Sequence, residues 1–121
     1  MQAINTSTTV LNDYTVEDLE TIKAATLQHA HDAANAFIAA NGEQGYCGFA
    51  WVNICGIRGN TKLGKRMKAA GFKKDYTGDY CIWNPSGLGT QCMSTKEAGA
   101  TAAARLLQAA GFTAYAGSRA D

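Results

Sequence analysis

Apolar and small residues recur at helical spacing through Val16, Leu19, Ile22, Thr26, Ala30, Ala33 and Phe37 and stop at Asn41-Gly42, a period that predicts an amphipathic helix. Thr15-Val16-Glu17-Asp18 forms a capping box with Asp in the usual Glu position, and the acids of the first turn face the positive end of the helix dipole. At about 26 residues such a helix is about 39 Å long, more than a small domain requires. Core packing is the plain use of its inner face, and the excess suits a kink or a partner chain.

From Tyr46 to Ile57 the pattern changes to an aromatic, β-branched and almost wholly apolar run without period-two alternation, which predicts a central strand buried on both faces. Tyr76 to Trp83 and Phe112 to Gly117 read as shorter strands. Between the strands lie two helices. One runs from about Thr61 to Ala70 with Leu63 and Met67 inward; the other runs from about Thr95 to Ala110, opened by the capping box Ser94-Thr95-Lys96-Glu97, with Ala103, Leu106, Leu107 and Ala110 inward. Both end in the same words, Ala-Ala-Gly-Phe at 69–72 and at 109–112, each followed by a Tyr and a Gly at Tyr76-Thr77-Gly78 and Tyr115-Ala116-Gly117. The repeat reads as one helix-to-strand unit used twice, its Gly taking the left-handed conformation that closes a helix.

The order is therefore α-β-α-β-α-β, and the fold class expected is a single small α/β domain with a three-stranded, at least partly parallel sheet, three helices and right-handed crossovers. A three-stranded sheet with an antiparallel member and helices on one face fits the same pattern. Residues 1–14 are read as a flexible, Thr-rich N-terminal arm and residues 15–121 as the domain. A chain of 121 residues, 46% hydrophobic and with one Pro, is large enough for one core without metal or disulfide staples. The first residues lack the basic flank and apolar run of a secretory signal, and no apolar stretch is long enough to span a bilayer, so no membrane association and a cytoplasmic location are expected.

Charge changes the picture more than composition does. The net +1 hides a segregation: Asp13, Glu17, Asp18, Glu20, Asp32 and Glu43 against Lys23 give −5 over residues 1–45, Arg58, Lys62, Lys65, Arg66, Lys68, Lys73 and Lys74 give +7 over residues 46–74, and the remainder gives −1. Like charges at spacings of three and four on the second helix repel, and no acid nearby in sequence offsets them, which points to an anionic partner as well as to a solvated face. A duplex-coating protein carries a larger positive excess than this.

If the strands are parallel, the two Gly-rich loops lie together at the carboxyl edge of the sheet, each before a helix whose N-terminal N–H groups suit an anion. The candidate phosphate ligands are Arg58, Gly59, Asn60, Thr61, Lys62, Lys65 and Arg66 in the first loop and helix, and Ser86, Gly87, Gly89, Thr90 and Lys96 around the second. Gly59-x-x-x-x-Gly64-Lys65 matches a phosphate loop until Arg66 takes the place of the Ser or Thr that would hold magnesium, so turn and close-packing duties are the default for these glycines. Gly87-Leu88-Gly89 lacks the third Gly of a dinucleotide fingerprint.

Catalytic groups do not converge in the pattern. His29 and His31 sit two apart on a helix; Cys47, Cys55, Cys81 and Cys92 form no Cys-x-x-Cys pair and read as small, reduced, mostly buried residues; no metal site and no cofactor are expected. Only Cys92 is placed to sit by a helix N-terminus and have a lowered pKa. If the strands are parallel, Asp75 and Asp79 fall at the far end of the second strand from the loops.

The closing stretch Ala109-Ala110-Gly111-Phe112-Thr113-Ala114-Tyr115-Ala116-Gly117-Ser118-Arg119-Ala120-Asp121, with Gly59-Asn60-Thr61-Lys62-Leu63-Gly64-Lys65, resembles small uncharacterised proteins of tailed bacteriophages. The resemblance covers about half the chain and implies no activity; it implies action in the cytoplasm of an infected host, by binding a host factor or small signalling molecule or by joining a phage assembly. The functional expectation is a non-catalytic binding protein whose basic Gly-rich loop and helix engage a nucleotide, another phosphate-bearing ligand or an acidic host protein surface. A small nucleotide- or phosphoester-processing enzyme using both Gly-rich loops is the alternative. The acidic first helix and the basic segment also suit a homodimer or higher homo-oligomer that sets one against the other.

Overall fold

The computed structural model describes residues 8–43 and 45–121. Among them the chain forms α1 (Thr8–Asp13), α2 (Val16–Asn41), β1 (Gly48–Cys55), α3 (Lys62–Ala69), β2 (Lys73–Lys74), β3 (Tyr80–Trp83), α4 (Met93–Ala109) and β4 (Thr113–Ala120). The part of the expected arm at residues 1–7 lies outside the described residues. Leu11 of α1 belongs to the core, and the Tyr14 hydroxyl donates to the Ala110 carbonyl at 2.7 Å.

Local chemistry fixes the helix ends. The Thr15 hydroxyl accepts from Asp18 N–H at 3.1 Å, and the Asp18 carboxylate accepts from Thr15 N–H at 2.9 Å, so the capping box closes in both directions. At the two Ala-Ala-Gly-Phe copies, Gly71 and Gly111 adopt φ of 99° and 102°. Phe72 N–H reaches Met67 O at 3.0 Å and Gly71 N–H reaches Lys68 O at 3.1 Å; Phe112 with Leu107 and Gly111 with Gln108 repeat the pair at 3.0 Å each. This is the same Schellman closure twice, which satisfies the last carbonyls of each helix and turns the chain into the next strand. The capping box expected at Ser94–Glu97 does not form: α4 begins two residues earlier, with Cys92 at the N-cap and no side-chain cap hydrogen bond.

The sheet overturns the expected fold class. It has four strands in the order β2-β3-β1-β4, every neighbouring pair antiparallel, and four helices accompany it. The connections through α3 and α4 do join strands of one direction, since β1 and β2 both run against β3, and β3 and β4 both run against β1. Each crossover skips a strand width, and the other unit's strand fills the gap. The result is the interleaved β-α-β-β-α-β arrangement of the split β-α-β unit. The missing fourth strand is the two-residue β2, whose Lys-Lys sequence has no strand pattern to read.

β1 lies between β3 and β4 but is not buried on both faces. Its alternation is one of size: Gly48, Ala50, Val52 and Ile54 face the helices and are buried, while Phe49, Trp51, Asn53 and Cys55 face the other way. On the covered face Val52, Ile54 and Tyr80 meet Met67, Leu107 and Phe112. α4 lies along β1 and β4, and α2 crosses α4 where Gly99 leaves room: a Cβ there would sit 3.2 Å from Ala30 O and 2.8 Å from Ser86 Cβ. No helix among the described residues covers the face of Phe49 and Trp51, and none is long and apolar enough to cross a membrane.

Candidate functional site

The uncovered sheet face carries a concentrated aromatic surface. Register sets Trp51 directly opposite Trp83 on one side and Gly117 on the other. The two indoles stack with centroids 5.3 Å apart and planes 2° from parallel, and the Phe49 ring lies 5.6 Å from Trp83. Trp51 leans across β4, which is why residue 117 is Gly: a Cβ there would come within 2.6 Å of the indole. Trp83 remains 55% exposed and Tyr115, opposite Asn53, 49% exposed. Aromatic rings of this size left half-exposed side by side are the exception on a protein surface, and they mark a place where flat ligands can stack.

Cations and acceptors border these rings. The Arg119 guanidinium lies 5.6 Å from the Phe49 ring and the Lys96 ammonium 5.3 Å from it, the latter donating to Gly48 O at 2.8 Å. Lys73 pairs with Cys81 at the outer edge and is exposed. A cavity of about 360 Å³ opens between Trp51, Asn53, Asp75, Tyr76, Trp83 and Arg119. In it the Asn53 Oδ1 is buried with no hydrogen-bond partner, a free acceptor of the kind that is normally satisfied. The Asp75 Oδ1 accepts the Thr77 hydroxyl and N–H, which hold this carboxyl below its ordinary pKa. Burial pushes the neighbouring Cys55 and Cys81 thiols up, away from thiolate chemistry.

The two Gly-rich loops do not meet. They follow β1 and β3, which are antiparallel, so they lie at opposite ends of the sheet, and the joint pocket that a parallel sheet would have made is absent among the described residues. At the first loop Arg58, Asn60, Lys62 and Lys65 are exposed. Thr61 is the N-cap of α3, its hydroxyl donating to Arg58 O at 2.7 Å and accepting from Gly64 N–H at 3.0 Å. Gly64 is required by packing, since a Cβ would sit 2.1 Å from Arg58 O. Arg66 turns back to donate to Asn12 O and Tyr14 O at 2.8 and 3.3 Å, so it ties α3 to the α1–α2 junction and leaves the face assigned to Lys62 and Lys65. The Lys68 and Lys74 ammonium groups come together beside Gly59, 2.8 and 3.2 Å from where a Cβ would stand.

At the second loop Ser86 is buried, its hydroxyl bonded to Asn84 Oδ1 and to Leu88 N–H, and its carbonyl 2.9 Å from His31 Nδ1. Gly87 takes the left-handed φ of 69° that this turn needs. Thr90 accepts from Cys92 N–H, and Gly89 is exposed. Lys96 is buried, and of the second-loop candidates only this one reaches the aromatic face, through Phe49.

Sequence reading missed Trp51 and Asn53 as surface groups because the run at 46–57 is almost wholly apolar, and Trp83, Tyr115 and Arg119 because only strand pairing brings them to the same face. The readable signal was the alternation of small residues at 48 and 50 with large rings at 49 and 51. No protein-family model matches the chain, and neither a curated protein nor a solved structure matches it.

Proposed function

We propose that the chain is a non-catalytic binding protein that holds single-stranded nucleic acid on its open sheet face. The observation that carries this reading is the Trp51–Trp83 stack beside Phe49 and Tyr115 on an uncovered antiparallel sheet, with Arg119 and Lys73 at its borders. Unpaired bases stack on aromatic side chains and their phosphates suit flanking cations. Asn53 Oδ1 and the Asp75 carboxylate offer acceptors to base N–H groups, and Arg119 offers donors, a mixture that suits a nucleobase better than a simple polyanion. The exposed Lys62 and Lys65 with the Lys68–Lys74 pair extend the positive charge along the β2 side for a continuing strand.

Both tryptophans of the chain belong to the stack, so intrinsic emission reports on this face alone. Titration with a pyrimidine dodecamer should quench it. Trp83→Ala should weaken binding by about 1–3 kcal/mol per stacked base, about five- to 150-fold. With Lys73 as the phosphate contact at the face and Lys62, Lys65, Lys68 and Lys74 along a continuing strand, the slope of log affinity against log salt should lie between about −0.7 and about −3.5, at about −0.7 per phosphate for single strands. Emission that ignores the oligonucleotide, or heparin binding as tightly as the dodecamer, would eliminate base stacking as the basis of recognition and leave only an anion surface.

A further inference from the structure

We infer that Cys47 and Cys92 are a thiol pair that closes reversibly to a disulfide by exchange with a small-molecule disulfide. The two residues face one another across an isolated antiparallel bridge. Met93 N–H donates to Tyr46 O at 2.8 Å and Gly48 N–H to Gln91 O at 3.2 Å, so the hydrogen bonds flank the cysteines and make them a non-hydrogen-bonded pair. In such a pair the Cα atoms are about 4.5 Å apart with side chains on one side of the ladder, within the window of roughly 4.4–6.8 Å that a disulfide spans. Both line the same cavity of about 650 Å³, bounded by Ile38, Glu43, Leu88 and Thr90, through which a small disulfide can enter.

The two thiols differ in a way that assigns their order of reaction. Cys47 is exposed, whereas Cys92 is buried at the N-cap of α4. The Thr95 side chain, with the N–H groups of Thr95 and Ser94 at the start of α4, lowers the Cys92 thiol pKa, against burial and the Glu43 carboxylate. The Cys47 thiolate attacks one sulfur of the small disulfide, forming a mixed disulfide and expelling one thiol. The Cys92 thiolate then attacks Cys47 Sγ, forming the protein disulfide and expelling the second thiol. Two protein thiols are oxidised, one small disulfide is reduced to two thiols, and the two cysteine protons end on those thiols. The new bond ties the start of β1 to the start of α4. Cys55 and Cys81 lie on the open sheet face with pKa values pushed up by burial and take no part.

The test uses the full chain equilibrated in glutathione buffers from fully reduced to fully oxidised, acid-quenched, alkylated and mapped by peptide mass. One intramolecular link between Cys47 and Cys92 is expected at the oxidised end, fully reversed by reduction. Cys92→Ser should accumulate a stable glutathione adduct on Cys47, and Cys47→Ser should leave Cys92 unmodified over the same time. Four alkylatable thiols at the oxidised end, a link to Cys55 or Cys81, or a link between two chains would overturn the assignment, and the wild-type map decides this even where a variant does not fold.

Discussion

Gly117→Ala tests the aromatic face and the sheet register together, because the sign of its effect depends on where Trp51 lies. In an unobstructed strand interior, replacing Gly by Ala stabilises by roughly 0.5–1 kcal/mol through lost chain entropy. Here the new Cβ falls 2.6 Å from Cε2 and Nε1 of Trp51 and 2.8 Å from Cζ2, so the indole must retreat by about 1 Å to reach ordinary contact near 3.5–4.0 Å. Its retreat is blocked by Trp83, already stacked at 5.3 Å. Overpacking costs about 1–3 kcal/mol, and disturbing an aromatic pair costs about 0.5–1.5 kcal/mol. Because Trp83 is 55% exposed and can yield, the net expected is about 1–2 kcal/mol of destabilisation, at the low end of those ranges. With a urea m-value of about 1–3 kcal/mol/M, the midpoint should fall by about 1 M. Far-UV circular dichroism gives the midpoint, and emission of the two tryptophans before unfolding should shift because both report on the displaced stack. Gly89→Ala is the control: its Cβ meets nothing within 4 Å, and it should be neutral or slightly stabilising. A Gly117→Ala protein at least as stable as wild type, with unchanged emission, would refute the placement of Trp51 over β4.

Three further outcomes follow from the geometry. Tyr80→Phe removes the buried hydroxyl that donates to Gly64 O at 2.8 Å and should cost about 0.5–1.5 kcal/mol, because the carbonyl keeps its helical partner within α3; a thermal midpoint equal to wild type counts against the bond. Gly64→Ala drives a Cβ to 2.1 Å from the Arg58 carbonyl, where backbone cannot give way, and should lose about 3 kcal/mol or more, whereas Gly59→Ala meets only lysine side-chain ends that can swing aside and should be nearly neutral in the same urea titration. Asp75 has its pKa lowered by the Thr77 hydroxyl and N–H, so its contribution to stability is present above the ordinary carboxylate pKa and is lost as pH falls through the lower folded value; Thr77→Val should raise the Asp75 titration midpoint read by NMR, and an unmoved midpoint would show that the hydroxyl bond does not matter.

What the sequence determined by itself was local. Thr15 and Asp18 are three residues apart, so their reciprocal cap depends on little beyond the first helical turn. The same holds for Ala-Ala-Gly-Phe, whose Gly closes α3 and α4 by bonds spanning three and five residues. The run at 46–57 and the stretch from Tyr76 to Trp83 read as strands because β-branched and aromatic residues fit a pleated surface, and strands form within them at Gly48–Cys55 and Tyr80–Trp83. The start of α4 escaped the same reasoning: Ser94–Glu97 has the letters of a cap, yet the bridge of Cys47 to Cys92 fixes the backbone there and moves the N-cap back to Cys92.

Tertiary structure alone decided strand order, and with it the site. A crossover helix specifies that the strands it joins share a direction, but leaves open whether they touch or admit another strand between them; that choice depends on how β1-α3-β2 and β3-α4-β4 share one core. Interleaving made the sheet antiparallel and sent the two Gly-rich loops to opposite ends, while long-range hydrogen bonds tie Arg66 to Asn12 and the Ser86 carbonyl to His31. It also brought Trp83 and Gly117 to either side of Trp51. Hydrophobicity along the chain is blind to this face, because rings that stack on one another in the open and rings buried under helices are the same letters, and only the pairing of strands distant in sequence tells them apart.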